Sequence, residues 1–316
     1  GDHRDLHLSI RRQRQMCIRD RSTVIVEPIT ANIMNAVMCG LMSFGLLITP
    51  QKFMQGGRYQ QPWFKDLPLE RDNKLYYLGQ FMAFIMLGGV LIPTLLNPYS
   101  QFLCYQMSFV HGVNLIHTCL FMCTSLYKNA KPVQLSSKGQ WYFMTVLSAA
   151  FFVVTTLASV HSIDNVVDSR ETYISKSTAN IVQLVFSSVF GVLFIVAPKY
   201  LLSGFWEDET LPNDTPTCFG FKLLNMTDLE TWWSRCIGTA ILSLNLGMVV
   251  DLNIDQPLYT AGSLAIVSTL TLFNFHQVVM RPYKSISSRQ IMLSWIPNIL
   301  MSSVVIGVLT AAMRYV

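Results

Sequence analysis

Three histidines and a set of asparagines are the residues of this chain whose types and spacing invite chemistry in an apolar environment. His111, Asn114 and His117 stand at i, i+3 and i+6. Helical spacing brings His111 beside Asn114 and Asn114 beside His117, but it sets the two rings about 120° apart around the helix. They cannot easily face one metal. His276 sits late in a later apolar stretch. At ~1.5 Å per residue, His117 lies ~24 Å from the start of its stretch and His276 ~29 Å from the start of its own, close to one depth. One imidazole on each face of a porphyrin is what a six-coordinate haem b requires. His117 and His276, with His111 as a third candidate, therefore point to a membrane electron carrier as one reading. The competing expectation is that each ring bonds Asn114, Asn274 or a backbone carbonyl between helices.

Asn114, Asn245 and Asn274 are uncharged polar groups deep in apolar stretches, and a passive transporter would line its cavity with such groups. Acidic residues are absent from the interiors of these stretches, so the carboxylate relay of a proton-coupled pump is missing. Cys119 and Cys123 are one helical turn apart, but two thiols do not close a tetrahedral metal site, and core packing is the expectation for them. There is no Gly-rich phosphate cradle, no Ser-His-Asp set and no nucleic-acid patch. No metal site and no catalytic residue are expected.

The elements that would carry these groups are eight apolar stretches of about transmembrane length, ~17–25 residues each. They read as 31–50, 76–97, 101–126, 141–160, 180–198, 231–250, 257–280 and 291–313. Apolar residues make up 51% of the chain and charged residues 13%, which is about half the usual charged share of a soluble domain. The fold expected is an all-α polytopic bundle of eight transmembrane helices. Tyr76-Tyr77, Tyr127, Trp141-Tyr142 and Trp232-Trp233 mark one end of the spans, and Tyr99, Tyr173 and Tyr259 the other, as interfacial rings do.

Residues 1–22 differ from the rest. They hold six arginines, and the run Arg12 to Arg21 resembles translated read-through of a sequencing adapter. The segment is expected to be foreign to the protein, with a basic targeting arm as the alternative. Without it the chain has 17 Lys+Arg and 15 Asp+Glu. The odd-numbered loops then carry 13 positive residues, against Arg170, Lys176 and Arg314 opposite. The positive-inside bias places the odd loops on the cytoplasmic side and both termini across the membrane. Two sequons in the fifth loop, at Asn213 and Asn225, run against that orientation.

The first stretch ends Thr49-Pro50 and runs to Gly56; the fifth ends Ala197-Pro198 and runs to Gly204. Each is followed by a long loop and paired aromatics, then a span, a short turn and two more spans. This predicts a 4+4 parallel tandem repeat, with four-helix halves at 30–161 and 178–314. Each half resembles the small four-helix membrane proteins of the DoxX-like type. The likeness lies in Phe44-Gly45 and Phe190-Gly191, the Pro-ended first helix and the loop that follows, and it implies architecture alone. The function expected is a non-enzymatic auxiliary or scaffold subunit, or a passive transporter of a small neutral or lipid-like molecule. Its partners are the lipid bilayer and other membrane subunits.

Overall fold

A long apolar stretch becomes a helix because a helix satisfies its own backbone groups where water cannot. The computed structural model describes residues 26–54, 67, 73–124, 138–159, 171–207, 211–251, 257–283 and 285–314. Among them run α1 (Pro28–Ile48), the short α2 (Pro50–Met54), α3 (Lys74–Leu96), α4 (Gln101–Cys123) and α5 (Lys138–Ser159). There follow α6 (Lys176–Val196), the short α7 (Pro198–Ser203), α8 (Asp228–Asp251), α9 (Pro257–Met280) and α10 (Ser288–Met313). Between α7 and α8 lies an antiparallel hairpin, β1 (Thr217–Cys218) and β2 (Phe221–Lys222). The arginine-rich segment 1–22 and Tyr127 lie outside the described residues.

The chain is an all-α, multi-pass membrane protein. Six helices, α1, α3, α5, α6, α9 and α10, contain spans long and apolar enough to cross a bilayer. Of the other two stretches expected to cross, α4 falls short of that apolarity because it carries Gln106, His111, Asn114 and His117. The part of α8 from 228 to 245 also falls short, because it carries Asp228, Glu230, Arg235 and Asn245. Both helices are shielded by their neighbours, since α8 packs on α3, α4 and α6, and α4 packs on α5 and α8. His111, His117, Glu230 and Asn245 on them are buried against protein, whereas Asn114 is exposed on the outer side of α4. Arg235 donates from Nε to the carbonyl of Ile195 at 3.2 Å, one residue before the end of α6, where a cation complements the helix dipole.

Prolines and caps set the breaks. α1 ends at Thr49 (φ −141°, ψ 63°) and α6 at Ala197 (φ −136°, ψ 50°). A proline follows each, removing the next N–H and disfavouring helical backbone before it. Inside α3 and α10, Pro93 and Pro297 are each preceded by a π-helical turn, at Leu87–Leu91 and Ile291–Trp295, which accommodates the missing donor. The turn between α3 and α4 is pinned by fully buried Asn32, whose Nδ2 donates to the carbonyls of Pro98 and Ser100, both at 2.9 Å.

Helix pairing follows one scheme in both parts of the chain. α1 packs on α3 and α5, and α4 on α5; α6 packs on α8 and α10, and α9 on α10. Across the seam, α3 meets α8 and α9, while α8 meets α4. Two aromatic insertions fill this seam. Trp232 of α8 reaches Phe121 and Trp141, with ring centroids 5.1 and 5.4 Å away. Tyr77 of α3 reaches Phe273 and Trp295, at 5.5 and 6.0 Å. Tyr76, Tyr77, Trp141 and Trp232 are thus buried between helices, not interfacial markers as expected, and Tyr259 is buried as well. Tyr99, Tyr142 and Tyr173 do face outward.

Candidate functional site

A large void among the described residues lies between α1, α3, α4 and α5 and is closed on its inner side by α8. It measures about 410 Å³, within the ~300–1,000 Å³ of small-molecule sites. Seven methionines line it, Met38, Met42 and Met86 among them, together with Cys39, Cys236, Trp141, Trp232 and Trp233. Methionine has three rotatable bonds and a polarisable sulfur, so such walls fit apolar guests of varied shape. None of the lining residues is Asp, Glu, Lys or Arg.

A few polar groups interrupt this surface. His111 is buried, and its Nε2 is 2.6 Å from Oδ1 of fully buried Asn35. Donation from Nε2–H to Asn35 leaves Nδ1 of the imidazole as an acceptor. One turn further along α4, Asn114 donates from Nδ2 to Oγ of Ser148 on α5 at 3.3 Å. Thr118 and Thr239 complete the polar set, and Thr239 returns its hydroxyl to the Cys236 carbonyl at 2.9 Å.

A second, smaller void of about 60 Å³ lies among α6, α8, α9 and α10. Its polar wall is a network: Asn245 Nδ2 donates to Ser187 Oγ at 2.7 Å, and Gln183 Nε2 approaches Asn245 Oδ1 at 3.4 Å. Asn274, Asn298 and Ser302 also face it. Asn114, Asn245 and Asn274 were expected around one cavity. Asn114 lines the large void, and Asn245 and Asn274 line the small one. Helix α8 divides the two groups, because Leu244 contributes to both walls.

The histidines occupy three different settings. His111 is held by Asn35. His117 is buried, with Nδ1 3.5 Å from Cys236 Sγ and its ring stacked on Trp232 at 5.9 Å. His276 is exposed on α9 beside Gln277 and lines neither void. The equal depths read from helical rise say nothing of azimuth, and the structure does not bring the two rings to a common site. Among the described residues no cluster of His, Cys, Asp and Glu suits a metal ion. Of the cysteines, Cys39, Cys104 and Cys236 are buried, whereas Cys119 and Cys123, expected in the core, face outward.

No protein-family model, curated protein or solved structure matches the chain.

Methionine-rich faces are not distinguished from ordinary apolar faces by hydropathy, but the chain carries one further signal. Thr30-Ala31-Asn32-Ile33 recurs as Thr178-Ala179-Asn180-Ile181, 148 residues later. With that offset, Met38, Cys39 and Met42 fall on Phe186, Ser187 and Phe190. The first three line the large void and the last three the small one. Phe186 and Phe190, their rings 5.2 Å apart, occupy the wall of the small void.

Proposed function

We propose that the chain is an eight-helix membrane protein of two parallel four-helix halves, acting without catalysis as a scaffold or passive carrier for a small neutral or lipid-like molecule. The observation that carries this reading is the uncharged void of about 410 Å³ among α1, α3, α4 and α5. A buried charge inside a membrane is costly and would mark an ionic substrate; this wall offers thioethers, aromatic faces and a few neutral hydrogen-bonding groups.

Three features support the two-half architecture. The Thr-Ala-Asn-Ile repeat starts both α1 and α6, and the Pro50 and Pro198 breaks share their backbone angles. The helix pairing within 30–161 has its counterpart within 178–314. The seam contacts are reciprocal, α3 with α9 and α8 with α4, as a two-fold axis along the membrane normal requires. In this arrangement α4 and α8 also cross, and the positive odd-numbered loops lie on the cytoplasmic side.

The test is extraction of small molecules from protein purified out of its own membrane, read by native mass spectrometry beside a 350–700 nm absorption spectrum. A neutral adduct near one per chain, lost in Met38→Phe/Met42→Phe, is the expected result. No adduct, with wild type and double variant alike, rejects the carrier. A Soret band lost in either His117→Ala or His276→Ala would instead establish the haem b electron carrier. That reading requires His276 to leave its exposed position and His117 its contact with Cys236.

A further inference from the structure

The large void has a mouth, and its position restricts what can enter. Of its lining residues, Leu41 on α1 and Asn114 on α4 are exposed on the outside of the bundle. Each lies 13 residues after the first residue of its helix, hence about 20 Å along helices that are ~30–35 Å long. α1 and α4 are the first and third crossings of the proposed topology, so they run in the same direction and the two residues share one level. That level is the hydrocarbon core, not the water on either side. The void itself is long: its lining runs from Met107 to Thr118 on α4 and from Trp232 to Leu244 on α8, about 16–18 Å along the helix axes.

An accessible amide at that depth is expensive unless something meets it. Asn114 has already committed its Nδ2 to Ser148. No described residue donates to its Oδ1, and lipid chains have nothing to donate. Two unmet sites remain on this amide, the acceptor Oδ1 and the second Nδ2–H, so the guest that meets both must donate and accept. Close by, the Nδ1 of His111 is a second acceptor once Nε2–H is given to Asn35. A ketone, ester or ether would leave both acceptors unmet, whereas a hydroxyl satisfies one and can accept in turn.

On the carrier or scaffold reading, we propose that the void takes an uncharged, elongated hydrocarbon with one hydroxyl, which enters sideways from the bilayer and donates that hydroxyl to Asn114 Oδ1. The equivalent void of the second half, filled by Phe186 and Phe190, takes none, so each chain holds one guest.

The experiment uses the whole protein in lipid nanodiscs and reads quenching of tryptophan fluorescence, because Trp141, Trp232 and Trp233 line the void. The probes are a dibrominated octadecanol, its methyl ether and the corresponding dibrominated octadecanoate. The alcohol should quench saturably at a membrane mole fraction about three- to tenfold lower than the ether, the ratio that one hydrogen bond provides, and the carboxylate should not saturate. Asn114→Leu should bring the alcohol down to the level of the ether without weakening the ether. Asn114→Ser, which keeps a small polar group, serves if the leucine variant does not fold by size-exclusion chromatography. Met38→Phe/Met42→Phe should abolish saturable quenching by every probe. Equal binding of alcohol and ether, or an alcohol preference that survives at Asn114, overturns the hydroxyl assignment and leaves the carrier reading standing. Saturable binding of the carboxylate overturns the neutral guest. Absence of saturable quenching by all three probes overturns this inference, and the mass-spectrometric adduct decides separately on the carrier.

Discussion

Lys74 and Glu230, the first residue of α3 and the third of α8, meet at one end of the seam with Nζ 3.9 Å from Oε2. The same carboxylate oxygen accepts the Thr227 N–H at 2.8 Å, and Thr227 Oγ1 accepts the Glu230 N–H at 3.2 Å, which closes a capping box. Lys74 also donates to the Asn225 carbonyl at 2.8 Å, tying the loop before α8 to the start of α3. One carboxylate thus serves a helix start and a helix–helix contact. Glu230→Ala should cost about 1–3 kcal/mol through loss of the cap and the pair together. Glu230→Gln keeps the cap acceptor and should cost roughly half as much. Thermal unfolding in one detergent compares them, and equal losses in both variants would mean that the charge, not the cap, dominates.

The α3–α9 seam is tight enough to exclude a methyl group. A Cβ on Gly88 would stand 2.3 Å from Thr269 Oγ1 and 2.8 Å from the backbone Cα of Ile266. On adjacent Gly89 its one close approach would be to Cδ1 of Leu244 at 2.8 Å, a side-chain end that can rotate away. Gly88→Ala should therefore cost about 1–3 kcal/mol, the usual range for overpacking, and Gly89→Ala clearly less. Melting curves of the two variants decide, and the reverse order would mean that α3 and α9 do not approach at Gly88.

Hydropathy made the membrane class and most helix limits legible. The stretches 101–126 and 257–280 correspond to Gln101–Cys123 and Pro257–Met280. It could not give the rotation of each helix, because residue spacing fixes relative azimuth within a helix but not which face a neighbour covers. His276 and His117 were matched in depth for that reason, yet one is exposed and the other buried. Tyr77 and Trp232 were similarly ambiguous: an amphipathic ring suits the interface and a helix seam alike, and only contact with Phe273 or Phe121 distinguishes them. Cys119 and Cys123 read as core thiols because cysteine is usually buried, but they share the outer face of α4. The single cavity expected for Asn114, Asn245 and Asn274 failed on the same point. The asparagines are at suitable depths on helices whose rotation and pairing separate them.

Sidedness has a direct readout in the fifth loop. Asn213 and Asn225 are both exposed and both stand in sequons, so enzyme access to them depends on compartment. With the odd-numbered loops on the cytoplasmic side, translation into glycosylating microsomes should leave the chain's mass unaffected by endoglycosidase. A glycosidase-sensitive shift lost in Asn213→Gln or Asn225→Gln would invert the topology and place the termini in the cytoplasm.

On the proposed two-half architecture, Met38 and Met42 of the large void correspond to Phe186 and Phe190 of the small one, and that difference is exchangeable. Phe186→Met/Phe190→Met removes two tilted, contacting rings from the wall of the void of about 60 Å³ and should enlarge it toward the size of the large void. Loss of ring packing should cost stability, on the order of 1–3 kcal/mol for the pair, since methionine refills part of the space. The new void would remain more polar, because Gln183, Ser187 and Asn245 stay bonded to one another along its wall. Gln183 Oε1, buried and without a partner among the described residues, would then have room for water or for a guest's hydroxyl. Native mass spectrometry of the double variant should accordingly show two neutral adducts per chain where wild type shows one. A stable variant that still carries a single adduct would mean that cavity size alone does not set occupancy, and that the His111, Asn114 and Ser148 group, which the small void lacks, is required for the guest to stay.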